Sequence, residues 1–174
     1  MAITILEVDE AFQLLFESFI KKKFSKSLYL DYWGEKDLLP LVRTYLLGYF
    51  GQSIVPEAES ELPGTLSGYG RIDFLIKKTA IEFAVRTPEC GKSKITKNTN
   101  ETEIKKLMKH DGPSVLVLFD FSEYPLSQEE INKYRTLPSL GRGNHFKSPF
   151  NLLYYYIKGK RPKRAYREKL NIRI

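Results

Sequence analysis

The chain has 174 residues, 42% of them hydrophobic and 28% charged. That is enough for one domain with its own core, and it needs no second domain. No apolar run approaches the ~20 residues of a membrane-spanning helix, the N-terminus lacks a basic-then-apolar leader, and a lone cysteine, Cys90, forms no internal disulfide. These features exclude a membrane-embedded or disulfide-stapled class and predict a cytoplasmic (intracellular) protein with no membrane partner. The net charge of +7 is concentrated in the tail: from Lys158 onward eight Lys or Arg face one acid, Glu168, which accounts for all of it.

The first predicted helix runs from Leu6 to Lys23. Val8, Phe12, Leu15, Phe16, Phe19 and Ile20 form one apolar stripe, while Glu7, Asp9 and Glu10 at the start and Lys21 to Lys23 at the end suit the helix dipole. Ser27 to Gly34 is aromatic and reads equally as a strand, a packing loop or part of a subunit interface. A second helix is predicted from Glu35 to Phe50, with Leu38, Leu39, Val42, Tyr45 and Leu46 on its inner face. A strand follows from Gln52 to Leu62 with Glu57, Glu59 and Glu61 alternating, and Glu59 is a reserve site candidate.

The segment YGRIDFLIKKTAIEFAVR, Tyr69 to Arg86, reads as a hairpin. Arg71 to Ile76 alternates, with Ile72, Phe74 and Ile76 on one face and Asp73 on the other. Ala80 to Arg86 alternates again, with Ile81, Phe83 and Val85 opposed to Glu82, Ala84 and Arg86. Pairing the two brings Asp73 beside Glu82. Two carboxylates in contact repel unless a cation lies between them, and Mg²⁺ takes oxygen ligands of this kind. The competing reading makes them polar positions on a solvated sheet face.

Thr87 to Thr99 is a cationic loop, with Lys92, Lys94 and Lys97 following Arg86. A helix is predicted to start at Asn100, with Glu103 completing a capping box, Ile104, Leu107 and Met108 inward, and Lys105, Lys106 and Lys109 facing solvent or ligand. Val115 to Phe119 is apolar throughout and suits a strand buried on both faces. Ser127 and Glu130 form another capping box, opening a helix to Tyr134. The loop from Thr136 to Lys147 carries Arg142, His145 and Lys147. Ser148-Pro149 before Asn151 and Gly159 after Ile157 predict a last helix over 151–157. The tail 158–174 reads as a basic arm, suited to phosphate backbones through counterion release.

The motifs GRIDFLI and AIEFAVR resemble the core of the PD-(D/E)XK nuclease superfamily, the restriction-endonuclease-like fold. The resemblance spans about residues 35–121. It implies an α/β (α+β) protein with an αβββαβ core, a mixed central sheet flanked by helices, and extra N- and C-terminal helices in a single domain over 1–157. It implies a site of Asp73, Glu82, Ala84 and Glu35, with Mg²⁺ (or Mn²⁺) held by Asp73, Glu82 and the Phe83 carbonyl. Glu35 reads equally as a helix-start charge. Ala84 stands where the family has a Lys. Three explanations fit: a Lys removed to trap a complex, which the otherwise intact surroundings favour; a cation relocated to Arg86, Lys105 or Lys106; or a member that binds without cutting.

The expected activity is metal-dependent endonucleolytic hydrolysis of DNA, of a restriction, homing or junction-resolving type. The expected partners are double-stranded DNA and a second copy in a homodimer or higher symmetric oligomer. Arg86, Lys92, Lys94, Lys97, Arg142, Lys147, Lys160, Arg161, Lys163, Arg164 and Arg167 are the expected nucleic-acid contacts. The alternative is a non-catalytic nucleic-acid-binding protein on the same scaffold. A third reading, an RNA nuclease, finds no aromatic stacking sheet to favour it.

Overall fold

A computed structural model describes residues 3–25, 32–88, 95–159 and 163–174. The elements run α1 (Ile5–Ile20), α2 (Lys22–Ser25), α3 (Glu35–Phe50), β1 (Ile54–Glu61), β2 (Tyr69–Ile76), β3 (Thr79–Arg86), α4 (Glu101–Lys109), β4 (Ser114–Asp120), α5 (Gln128–Asn132), β5 (Phe150–Lys158) and β6 (Arg164–Ile172). The six strands form one sheet in sequential order. β3, β4 and β5 are parallel, and the outer pairings β1–β2, β2–β3 and β5–β6 are antiparallel. Each parallel step needs a crossover; α4 lies in the first and α5 in the second.

The sheet separates two cores. On one side Phe12, Phe16 and Phe19 of α1 and Leu38, Val42 and Leu46 of α3 pack on Phe83, Phe119 and Tyr155. Phe119 is the hub, in edge contact with Phe12, Phe16 and Phe83. On the other side Ile104, Leu107 and Met108 of α4, with Ile131 and Tyr134, cover Ala80, Ala84, Leu116 and Leu118. β4 is buried along its whole length, as an apolar run between two helical layers requires.

The predicted order of helix, three strands, helix and strand over residues 35–121 is the observed one. Four expectations need correction. The first helix breaks at Lys21, which is extended, so Lys22–Ser25 is a separate short turn of helix. Residues 151–157 are a strand, not a C-terminal helix. After Asn151 the run is apolar throughout, so its periodicity does not separate helix from strand, and its three tyrosines favour the latter. The basic tail is not a free arm: Arg164–Ile172 is the edge strand paired along all of β5. Finally, Asn100 makes no capping hydrogen bond. Its Nδ2 reaches Tyr134 Oη at 3.0 Å and Thr96 O at 3.2 Å, and Glu103 is left to face elsewhere.

β6 is held from below by Asp9, one of the acids that suit the start of the α1 dipole. Asp9 is 2% exposed. Its Oδ1 accepts from Tyr155 Oη at 2.7 Å, and its Oδ2 pairs with Arg167 at 3.1 Å and with Lys169. Asp9, Phe12 and Phe16 follow the i, i+3, i+7 spacing of one helix face, so Asp9 belongs to the buried stripe.

Candidate functional site

β2 and β3 pair from Ile76–Thr79 to Phe74–Ile81, and the ladder stops there. Continuing the register sets Asp73 opposite Glu82, as period two predicts. Beyond Ile81 the strands part, and the Phe83 N–H donates to Asp73 Oδ2 at 2.8 Å in place of a β2 carbonyl. In a strand the N–H and C=O of one residue point the same way, so the Phe83 carbonyl faces this opening as well.

Glu82 lies between Ala80 and Ala84 on the face under α4 and is 1% exposed. A buried carboxylate needs charge compensation. It comes from Lys106, whose Nζ is 2.6 Å from Glu82 Oε1 and donates to Arg71 O, also at 2.6 Å. The ammonium's aligned bond goes to the carbonyl; Oε1 receives the charge but accepts no aligned hydrogen bond. The Lys106 stem reaches the site past Gly70, where an added Cβ would lie 3.1 Å from Lys106 Cδ and 3.1 Å from Leu62 Cδ2. Gly70 therefore serves close approach of the Lys106 and Leu62 side chains rather than backbone freedom.

α4 adds a further acid. Glu103 precedes Lys106 by three residues and so shares its helix face. Its Oε2 is buried without a hydrogen bond. At the outer edge Glu57 falls opposite Asp73 in the β1–β2 register, with φ 53. The electrostatics follow from this crowding. Burial pushes the Glu82 carboxyl well above the usual carboxylate range, Asp73 and Glu103 push it further, and Lys106 opposes them. Burial also raises Asp73, against the Phe83 N–H and Lys106 and together with Glu57 and Glu103.

Of the expected site residues, Asp73, Glu82 and Phe83 are brought together. Ala84 is 2% exposed within the apolar cluster. Glu35 is not brought to them: it opens α3, whose buried residues join the core on the opposite side of the sheet. Of the three candidate cations, Lys106 reaches Glu82, whereas Lys105 pairs with Glu101 at 2.7 Å. Arg86 is removed from the list of nucleic-acid contacts. It is 2% exposed, its Nε donates to Asp120 Oδ1 at 3.0 Å and an Nη to Tyr124 O at 2.6 Å, and it forms a 2.5 Å ion pair with Asp120 Oδ2. Burial lowers its basicity, and Asp120 more than offsets this. Asp120 is in turn held by Tyr154 Oη and the Ser122 N–H, so the network is closed.

Arg167 is half engaged by Asp9. Arg142, Lys147, Lys163 and Arg164 are exposed, and Lys97 is half-buried. Lys92, Lys94, Lys160 and Arg161, like Cys90 and the stretch 26–31, lie outside the described residues. Sequence reasoning missed Glu103 and Gly70. The available signals were the Glu103–Lys106 spacing on one helix face and a glycine at the mouth of the strand carrying Asp73.

Among the described residues no three His, Cys, Asp or Glu side chains form a ready metal cage. A divalent ion would draw on the two carboxylates of Asp73 and Glu82 and the Phe83 carbonyl, an all-oxygen set suited to Mg²⁺ or Mn²⁺. Glu82 Oε1, 2.6 Å from Lys106 Nζ but without an aligned hydrogen bond, would be shared between that ammonium and such an ion. No family model, no curated protein and no solved structure matches the chain.

Proposed function

We propose that the chain is a metal-dependent DNA endonuclease of the restriction-endonuclease-like, PD-(D/E)XK kind. The observation that carries this reading is the meeting of Asp73 and buried Glu82 where β2 leaves β3, with Glu82 Oε1 lacking an aligned hydrogen bond. The αβββαβ order within a mixed sheet supports the fold assignment. Asp73, Glu82 and the Phe83 carbonyl are the residues that would hold Mg²⁺ or Mn²⁺. Such an ion supplies Lewis acidity toward a phosphodiester and lowers the pKa of water.

The chain's own groups do the remaining work. Asp73 is oriented by the Phe83 N–H, so its free oxygen has one preferred direction. Lys106 keeps Glu82 from carrying an uncompensated buried charge and brings a cation to the place where Ala84 offers none. Its ammonium is suited to electrostatic stabilisation of negative charge developing on phosphate. Exposed Arg142, Lys147, Lys163 and Arg164 suit backbone contacts on double-stranded DNA, and a homodimer would supply the second site that cutting both strands requires. Titration with Mn²⁺ by calorimetry tests the metal site: wild type should bind, and Asp73→Asn and Glu82→Gln should each weaken binding by about ten-fold or more. Equal binding by all three would remove the proposed ligands.

One observation favours the second reading, a nucleic-acid-binding protein without catalysis. Lys106 already neutralises Glu82, and Asp73 already has a donor, so the carboxylates have partners without an ion. DNA binding in EDTA with no cleavage of any substrate in Mg²⁺ or Mn²⁺ would support it.

A further inference from the structure

With residues 150–158 and 164–172 paired as strands, three tyrosines line up on the face that also carries Glu82. Tyr154 stacks on Tyr156 at 4.9 Å with a 16° interplanar angle, and Tyr156 stacks on Tyr166 at 5.6 Å and 21°. The ladder runs from the interior to the surface, its members being 0%, 6% and 42% exposed. Lys158 Nζ stands 5.0 Å from the Tyr156 ring centroid and 5.7 Å from that of Tyr166. In the register Lys158 pairs with Arg164, two pairs beyond Tyr156–Tyr166 and so on the same face.

The tail's cations therefore divide by face. Arg167 and Lys169 turn to α1 and are held by Asp9. Lys158, Lys163 and Arg164 enter none of the ion pairs among the described residues. Glu168 lies on the same face and accepts from Tyr156 Oη at 3.3 Å, behind the exposed ring. An exposed ring backed by a stack, with cations at its outer side, is the arrangement that takes a base on its π-face and phosphates at its edge. A protein partner of complementary acidity would use the charges but would have no need of the stack.

We infer that the β5–β6 hairpin binds single-stranded DNA, with a base stacked on Tyr166 and phosphates at Lys158 and Arg164. By strand spacing and rise, this platform lies roughly 20 Å from Glu82 on the same side of the sheet. That separation suits a DNA in which an unpaired stretch adjoins the cleaved segment. The platform does not require Asp73, Glu82 or a metal, so it stands or falls apart from the nuclease reading.

The test is fluorescence anisotropy of a labelled oligothymidine in EDTA, repeated across a salt series. Wild type should bind, and Tyr166→Ala, which removes no charge, should bind about 5- to 150-fold more weakly, the range for loss of one stacked base. Tyr166→Phe keeps the ring and should stay within about two-fold of wild type. Lys158→Gln should weaken binding and lower the salt slope by about one phosphate contact. Melting curves and duplex binding of each variant check that the edge strand persists; Tyr166→Ala should leave duplex affinity unchanged. No binding by wild type, unchanged binding by Tyr166→Ala, equal losses for duplex and single strand, or clear preference for an oligouridine would each overturn the proposal.

Discussion

Replacing Lys106 by Met keeps the aliphatic stem that lies against Gly70 and Leu62 but removes the ammonium from Glu82. The Glu82 and Lys106 side chains are 1% and 9% exposed, so the pair is desolvated and its loss leaves a buried acid with Asp73 beside it. Breaking such a pair from one side costs about 3–5 kcal/mol while the remaining group is ionised. Near pH 4.5, the ordinary value for a glutamate, the raised Glu82 carboxyl holds its proton more firmly than in the unfolded chain, so the missing counter-charge matters less and the loss should approach that of the Arg71 carbonyl bond alone, about 1–3 kcal/mol. The sign follows from linkage. Glu82 binds its proton more tightly folded than unfolded, more so without Lys106, so the variant loses stability as pH rises from 4.5 through the raised folded value. Urea unfolding at pH 4.5 and pH 8 should show the larger loss at pH 8, equivalent to about 6–20 °C in Tm for a chain of this size. Adding Glu82→Gln should remove most of the pH dependence. A loss equal at both pH values would refute the assignment of Lys106 as the counter-charge of Glu82.

Gly70→Ala places a Cβ 3.1 Å from Lys106 Cδ and from Leu62 Cδ2. It should destabilise by about 1–3 kcal/mol by thermal melting and weaken the Lys106–Glu82 contact, with unchanged stability counting against the slot. Arg86→Met leaves Asp120 buried and unpaired and should cost about 3–5 kcal/mol in chemical denaturation, while the salt slope of DNA binding stays as in wild type. A lower slope would return Arg86 to the phosphate contacts. Asp9→Asn should release Arg167 and Lys169, cost about 1–3 kcal/mol, and raise hydrogen exchange in β6 more than in β1. Uniform exchange would show that the edge strand is held otherwise.

The central part of the chain was legible because its strands alternate. Period two in Arg71–Ile76 and Ala80–Arg86 was enough to set Asp73 against Glu82, and the unbroken apolar run of β4 announced a strand covered on both sides. The C-terminal third was not legible by the same rule. In Asn151–Ile157 nearly every position is apolar, so neither period stands out, and flanking Ser-Pro and Gly suggested a helix whose turn chemistry serves a strand equally well. Arg164–Ile172 hid behind its charge: its alternation sends Arg167 and Lys169 to Asp9 and Tyr166 to the tyrosine stack, and composition averages the two faces together. Glu103 was assigned to a cap because Asn-x-x-Glu is a local signal, and the tertiary pull of Tyr134 on Asn100 overrides it. The sequence marks Lys106 as a candidate cation without separating it from Lys105. The helix face that decides between them is the one that also carries Glu103.

Cleavage of supercoiled plasmid DNA in Mg²⁺ or Mn²⁺, comparing wild type with Asp73→Asn, Lys106→Ala and Ala84→Lys, tests the nuclease proposal most directly. Wild type should nick or linearise the plasmid, Asp73→Asn should do neither, and Lys106→Ala should react at least about ten-fold more slowly, with Ala84→Lys restoring the rate in the double variant. Cutting that survives Asp73→Asn would show that Asp73 holds no metal needed for cleavage and would overturn the nuclease site.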